Sequence, residues 1–145
     1  MNTLSIYQET ILKLAAENKK SSPIENYNCS FDMKNPMCGD EVKVRVNLIN
    51  KKINNISAIV RGCALCEASA GLVVQLFKDN SLPHNDFMRD FLFWLNNIDQ
   101  QINNSLPQEF EIFLPIKEIS NRHTCITMPF EATIKSLKTI NNKND

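Results

Sequence analysis

Net charge is missing from this chain. Sixteen Lys and Arg are balanced by sixteen Asp and Glu, and no basic stripe stands out along the sequence. That argues against nucleic acid as the main partner. Long hydrophobic runs are missing too. None approaches the roughly 20 apolar residues needed to span a bilayer, so no membrane segment is expected. Leu4 to Ala16 is interrupted by Gln8, Glu9 and Lys13 and lacks the apolar centre of a secretory signal. A cytoplasmic, reducing compartment is therefore expected. In that setting the five cysteines are poor disulfide candidates and better metal ligands or reactive thiols. Three Asn-x-Ser sequons, at Asn28, Asn55 and Asn103, are what a chain with 19 asparagines contains by chance. A length of 145 residues suits a single domain, 1–145, with its own core.

The chain is organised around Asn35 to Cys66. Val42, Val44, Val46 and Leu48 alternate with Lys43, Arg45, Asn47 and Ile49, and Ile56, Ala58 and Val60 alternate with Ser57, Ile59 and Arg61. Both patterns have the period of a strand. The polar Asn50 to Ile53 segment reads as a hairpin connection without a preferred Asn-Gly or Asp-Gly turn. A two-residue turn at Lys51-Lys52 would set Asp40 opposite Cys63. Cys38, Asp40 and Cys63 would then converge at the open end of one hairpin.

Elsewhere, Leu4, Tyr7, Ile11, Leu14 and Ala15 predict an amphipathic helix ending near Asn18 and covering the sheet, with a capping box at Ser5 and Gln8. Phe31-Asp32-Met33 reads as an edge strand. Cys29 reads as a spare thiol. After Gly62 the period becomes helical, with Cys63 at the helix start and small residues Ala64, Ala68, Ser69, Ala70 and Gly71 permitting close approach. Helix N-termini favour thiolates. Leu82 to Asn85 breaks the pattern, and His84 reads as a surface residue. Phe87, Phe91, Leu92, Trp94, Leu95 and Ile98 read as core, following a cap at Asn85 or Asp86. Asn96 to Pro107 reads as a loop, and Phe110, Ile112 and Leu114 as a short strand or helical turn. Pro129 suits the first turn of a terminal helix rather than its interior. That places Cys125 just before, or at, the opening of that helix.

Cys38, Asp40, Cys63 and Cys125 would together supply three thiolates and one carboxylate. Such a set suits tetrahedral Zn²⁺ or a [2Fe–2S] cluster. The ligands are far apart in sequence, so the fold must assemble them. Arg122 is placed to offset the negative charge or to hold a freed thiolate, and His123 is either an alternate ligand or a solvated neighbour. Two other readings compete. One is a metal-stapled protein-interaction module without thiol chemistry. The other is a dithiol oxidoreductase using Cys63 and Cys66, a C-x-x-C that follows a strand and opens a helix.

Three motifs resemble the NifU/IscU/SufU family of iron–sulfur cluster assembly proteins. They are Asn35-Pro36-x-Cys38-Gly39-Asp40, Gly62-Cys63-Ala64-x-Cys66-x-Ala68-Ser69 and Arg122-x-x-Cys125-x-Thr127-x-Pro129. The Cys63–Cys125 separation and Arg122 are similar to the SufU-like branch, with the extra length in the Pro83 to Asn104 region. His123 departs from both branches. Leu114-Pro115-Ile116-Lys117 only partly echoes the chaperone-binding motif of IscU scaffolds, and Phe130 stands where the family often has Trp. The resemblance implies an α+β fold, a small antiparallel β-sheet covered by helices (a SufE/NifU-like sandwich), with the site at its exposed edge. It implies a PLP-dependent cysteine desulfurase as partner and downstream iron–sulfur recipient proteins. The SufU-like branch implies a zinc-dependent sulfurtransferase role with Cys38 as acceptor. The IscU-like branch implies Cys125 as acceptor and a [2Fe–2S] scaffold on Cys38, Asp40, Cys63 and Cys125.

Overall fold

A computed structural model of the chain describes residues 3–102 and 105–143, with side chains over 5–102 and 105–140. The predicted inward role of Leu4 and the sequon at Asn103 lie outside the described residues. Helix α1 spans Thr3–Lys19. Strands β1 (Cys29–Lys34), β2 (Glu41–Ile49) and β3 (Lys52–Arg61) follow, then α2 (Ala64–Phe77), the short β4 (Asn80–Ser81) and α3 (Phe87–Asn96). Two 3₁₀ segments, Gln108–Ile116 and Ser120–Arg122, lead into α4 (His123–Lys143). The strands form one antiparallel sheet in the order β1-β2-β3-β4. This is the α+β architecture expected.

Alternation decides which face of the sheet is covered. Val42, Val44 and Val46 are fully buried, whereas Lys43 is exposed and Arg45 and Asn47 are only half-buried. Helix α4 packs on β1 and β2, and α2 packs on β3. Helix α1 lies mainly against α2 rather than on the sheet. Gly71 is what allows this, because a Cβ there would sit 2.9 Å from the Leu14 carbonyl oxygen. The second layer is an aromatic cluster. The ring centroids of Phe91 and Phe110 are 4.6 Å apart, and those of Phe110 and Phe130 are 5.0 Å apart.

Several local expectations are corrected. The hairpin turn is Asn50-Lys51, with φ of 52° and 64°, and not Lys51-Lys52. Asparagine tolerates the left-handed region, so it takes the first position of the two-residue turn. Ile49 pairs with Lys52 there, and an irregularity at Asn47/Leu48 shifts the register once before the open end. Glu41 then pairs with Arg61, which sets Asp40 across from Gly62 and not Cys63. Ser5 lies inside α1, so it is not a cap. Of the two readings left open for Phe110 to Leu114, the helical turn holds, as 3₁₀ helix. Leu92 is 43% and Ile98 61% exposed, so only Phe87, Phe91, Trp94 and Leu95 of that stretch are core. Pro129 lies inside α4 and does not open it.

One buried polar contact ties three elements together. Asn18, at the end of α1, donates from Nδ2 to the Ala58 carbonyl at 2.9 Å and to Glu67 Oε2 at 2.5 Å. Asn18 and Glu67 are both buried. Removing the donor strands a buried carboxylate, which typically costs about 1–3 kcal/mol. Asn18→Ala is expected to lower unfolding stability by that amount. Urea titration should show a lower midpoint with an unchanged slope.

Candidate metal centre

Three chain segments deliver the cysteines and aspartate to one place. The first is the loop before β2. Pro36 keeps Asn35 out of the α region, and Gly39 adopts φ +79°. The loop is closed by Asn35 N–H to the Asp40 carbonyl and Gly39 N–H to the Asn35 carbonyl, both 2.8 Å. The Asn35 side chain accepts from Met37 N–H at 3.0 Å. Cys38 sits on this rigid loop and is exposed.

Asp40 is 3% exposed. Its Oδ1 accepts the Cys63 backbone N–H at 3.0 Å, and its Oδ2 accepts from the Cys63 thiol at 3.4 Å. One carboxylate oxygen is thus fixed by the backbone, and the other is turned to the thiols. Gly62 makes this possible. A Cβ on Gly62 would lie 2.2 Å from Asp40 Oδ1, closer than any side chain allows. The one-residue change in register therefore does not separate Asp40 from Cys63. Asp40 reaches across the space that Gly62 leaves.

The second segment is the junction of β3 and α2. Cys63 is the N-cap of α2 and is half-buried, and its sulfur accepts the Cys66 backbone N–H at 3.5 Å. The third is the first turn of α4, which carries Cys125, 4% exposed. Pro129 lies one turn on, within the same helix. With no N–H, Pro129 leaves the Cys125 carbonyl without its helical donor. The next carbonyl, Ile126, accepts a 2.6 Å hydrogen bond from Ser69 Oγ of α2, a buried contact. Ser69 was read as a small residue and as part of a family motif, without an anchoring role. The signal for its anchoring role was a hydroxyl flanked in sequence by Ala68 and Ala70 in a helix rich in small residues.

The ligand atoms of Cys38, Asp40 and Cys125 all lie within 4.8 Å of one another. Cys63 falls outside that group and adjoins it through its 3.4 Å contact with Asp40. Adjacent sulfur and oxygen ligands on one tetrahedral zinc stand roughly 3.6 Å apart, from the usual bond lengths. The 3.4 Å contact between Cys63 and Asp40 is close to that edge. A buried carboxylate with no Lys or Arg partner among the described residues also fits a cation at this point. Burial, followed by the Cys63 thiol and Asp40, pushes the Cys125 thiol up to about 12. Metal binding at this sulfur must therefore displace a tightly held proton.

The remaining candidates are placed differently. Cys66 is fully buried, and burial, then Asp40 and the other thiols, raises its pKa far above the ordinary cysteine range. His123 directs Nε2 at the Ile116 and Lys117 carbonyls, 3.1 and 3.0 Å away. It closes the end of the 3₁₀ segment, is half-buried, and is not in the group of converging ligand atoms. Arg122 is exposed and forms no ion pair among the described residues. Lys117, the last residue of the partial chaperone-motif echo, is 5% exposed. Its Nζ donates to the Ile98 and Gln100 carbonyls and lies 4.6 Å from the Trp94 ring centroid, out of a partner's reach.

Comparison with known proteins gives no match among curated sequences. Among solved structures, the chain is similar to a nitrogen-fixing NifU-like protein (N-terminal) from Brucella abortus. The TM-score is 0.78 at 18% identity, covering 95% of this chain and 96% of that one. It is also similar to an iron–sulfur cluster assembly scaffold protein for the SUF system from Fervidobacterium islandicum AW-1. There the TM-score is 0.70 at 22% identity, covering 94% and 99%. At such identities the likeness concerns the fold. A family model, the NifU-like N terminal domain, matches residues 6–90, a stretch that includes Cys38, Asp40 and Cys63 but stops short of Cys125. With more than half of its length matched, and the fold of the solved relatives, the chain belongs to the NifU-like N-terminal domain family.

Proposed function

We propose that this protein acts in iron–sulfur cluster assembly as a metal-held sulfur acceptor, with Cys38, Asp40, Cys63 and Cys125 holding Zn²⁺. A PLP-dependent cysteine desulfurase is the sulfur donor. Nascent [2Fe–2S] clusters are cargo on the same ligands, passed to recipient proteins. The observation that carries this reading is the meeting of the Cys38, Asp40 and Cys125 ligand atoms within 4.8 Å, with Cys38 the one exposed cysteine. Similarity to a SUF-system scaffold supports it.

Bound zinc would supply the charge that keeps these thiols deprotonated at neutral pH. The division of labour then follows from burial. Cys63 and Cys125 are shielded and hold, and Cys38 on its outer loop is the sulfur a partner can reach. In transfer, the Cys38 thiolate bonds to the outer sulfur of the donor's persulfide. The donor's S–S bond breaks, its electron pair leaves as the donor's thiolate, and the proton stays with the transferred sulfur. Nothing is oxidised or reduced overall. Arg122, exposed and without an ion-pair partner among the described residues, is free to hold the displaced charge. The dithiol alternative is disfavoured because Cys66 is buried and its thiol strongly resists ionisation. The interaction-module alternative would leave an exposed cysteine on a rigid loop without a task.

Metal analysis of purified protein is expected to give one zinc per chain, lost or sharply reduced by Cys38→Ala, Cys63→Ala or Cys125→Ala and retained by Cys66→Ser. Full occupancy in all three alanine variants sinks the site. Gly62→Ala is expected to lower occupancy as well, because its methyl group takes the place of Asp40 Oδ1. Ser69→Ala, which loosens the first turn of α4, should weaken zinc affinity by on the order of tenfold, read by competition with a chromogenic chelator.

The functional assay measures cysteine desulfurase turnover with and without this protein, followed by anaerobic reconstitution with iron and sulfide. Stimulated turnover that disappears in Cys38→Ala is the expected result. A protein that leaves turnover unchanged and holds no cluster is not an assembly factor. In parallel, iodoacetamide without chelator should modify Cys38 first, and faster once the desulfurase is added. Rapid modification of Cys66 in the folded protein would contradict the roles given to these two thiols.

A further inference from the structure

The closed end of the β2–β3 hairpin carries a feature that sulfur transfer does not use. An open groove of about 630 Å³ lies between the hairpin turn, the α2–α3 connection and the last described turns of α4. It stands roughly 30 Å from the metal centre, counting about 3.3 Å per residue along the strand from Asp40 to Asn50. A partner seated there would leave Cys38 free.

The lining of the groove has a definite chemical character. Leu48, Leu82, Ile134 and Leu137 give it an apolar floor, and Leu82 is 39% exposed. Lys51 and Lys138 stand among the lining residues, and no Asp or Glu does among the described residues. Neither lysine forms an ion pair among the described residues. The backbone of Lys51 is part of the turn, at φ 64°, and its side chain is exposed. His84 also lines the groove, but its Nε2 is engaged by the Ser105 carbonyl at 3.1 Å and lies 3.8 Å from Asp90. The two lysines therefore set the sign of the groove.

We propose that this groove docks an acidic amphipathic helix of a partner protein. One apolar face of the helix lies on Leu82, Ile134 and Leu137, and its flanking carboxylates meet Lys51 and Lys138. The groove is open to solvent and does not enclose its contents, which suits the face of a helix better than a small molecule buried on all sides. Two unpaired cations beside an apolar floor select for negative charge at the edges of that face. The inference is independent of which metal, if any, the other end of the sheet holds.

The test uses the full chain and a fluorescein-labelled, helix-forming peptide with leucines at i, i+3, i+4 and i+7 and glutamates elsewhere. A second peptide carries lysines in place of the glutamates. Fluorescence anisotropy should show saturable 1:1 binding of the acidic peptide only. Affinity should fall by about tenfold or more in the Lys51→Glu/Lys138→Glu double variant, and also in Leu82→Asp. Both changes are at exposed positions, so circular dichroism, melting and zinc content should match the wild type. No binding of the acidic peptide overturns the proposal. Equal binding of both peptides, or affinity unchanged by reversing the lysines, does the same. If dodecanoate displaces the peptide one-for-one at lower concentration than the peptide itself requires, the groove takes small anionic amphiphiles, and the helix assignment is wrong.

Discussion

The side chain of Asp40 holds the open end of the hairpin to the start of α2. It is buried, yet it has no basic partner among the described residues. A lone buried carboxylate is expensive, and the chain offsets that cost locally. A backbone N–H and a thiol of Cys63 take one oxygen each. Both bonds need the space left by Gly62, where any side chain would collide with the carboxylate. The arrangement favours a cation at the same point, since a divalent ion neutralises the charge that hydrogen bonds only partly satisfy. The sheet, the α2 N-terminus and the site thus share one constraint. Asp40 can stay buried only while Cys63 stays beside it.

Much of this was legible from residue types and spacing. Val42, Val44 and Val46 announce a covered strand face, and the change of period after Gly62 announces α2 with Cys63 at its cap. The convergence of Asp40 and Cys63 was legible for a partly wrong reason. The expected turn at Lys51-Lys52 gave a direct pairing. The observed turn at Asn50-Lys51 and the irregularity at Asn47/Leu48 place Gly62 there instead. Register is set by where the chain accepts positive φ and where it inserts an extra residue. Neither has a strong signature without glycine in the turn. The contact survived because an aspartate side chain spans one position.

The rest was hidden because it depends on tertiary neighbours. Pro129 reads as a helix opener, since proline in an interior breaks a bond. Here α4 runs through it, and the loss falls on the Cys125 carbonyl. What holds that weakened first turn is Ser69, more than fifty residues earlier, through the Ile126 carbonyl. His123 is similar. Beside a cysteine and an arginine it looks like a ligand, yet two carbonyls of the preceding 3₁₀ segment claim its ring. The orientation of a side chain at a helix start follows from what precedes the helix, and periodicity carries no information about that.

Under the proposed role, the graded exposure of the cysteines would suit a site that exchanges better than one that staples. A stapling zinc site gains by shielding every thiolate, because each exposed ligand is a route for competitors. In this chain shielding is uneven along the proposed ligand set. Cys125 is buried, Cys63 is half-buried, and Cys38 projects on a loop stiffened by three backbone-directed hydrogen bonds. Stiffening and exposure together are informative. A mobile loop would also expose a thiol, but it would present that thiol in many orientations and make transfer to a docked partner slow. A rigid loop costs no further ordering at the moment of encounter. Asp40 as a proposed ligand would point the same way, since one carboxylate among three thiolates would bind borderline-soft zinc less firmly than a fourth thiolate. That leaves room for ligands to be exchanged. A structure selected only to keep its metal would have inverted both choices, burying Cys38 and replacing Asp40 with a fourth cysteine.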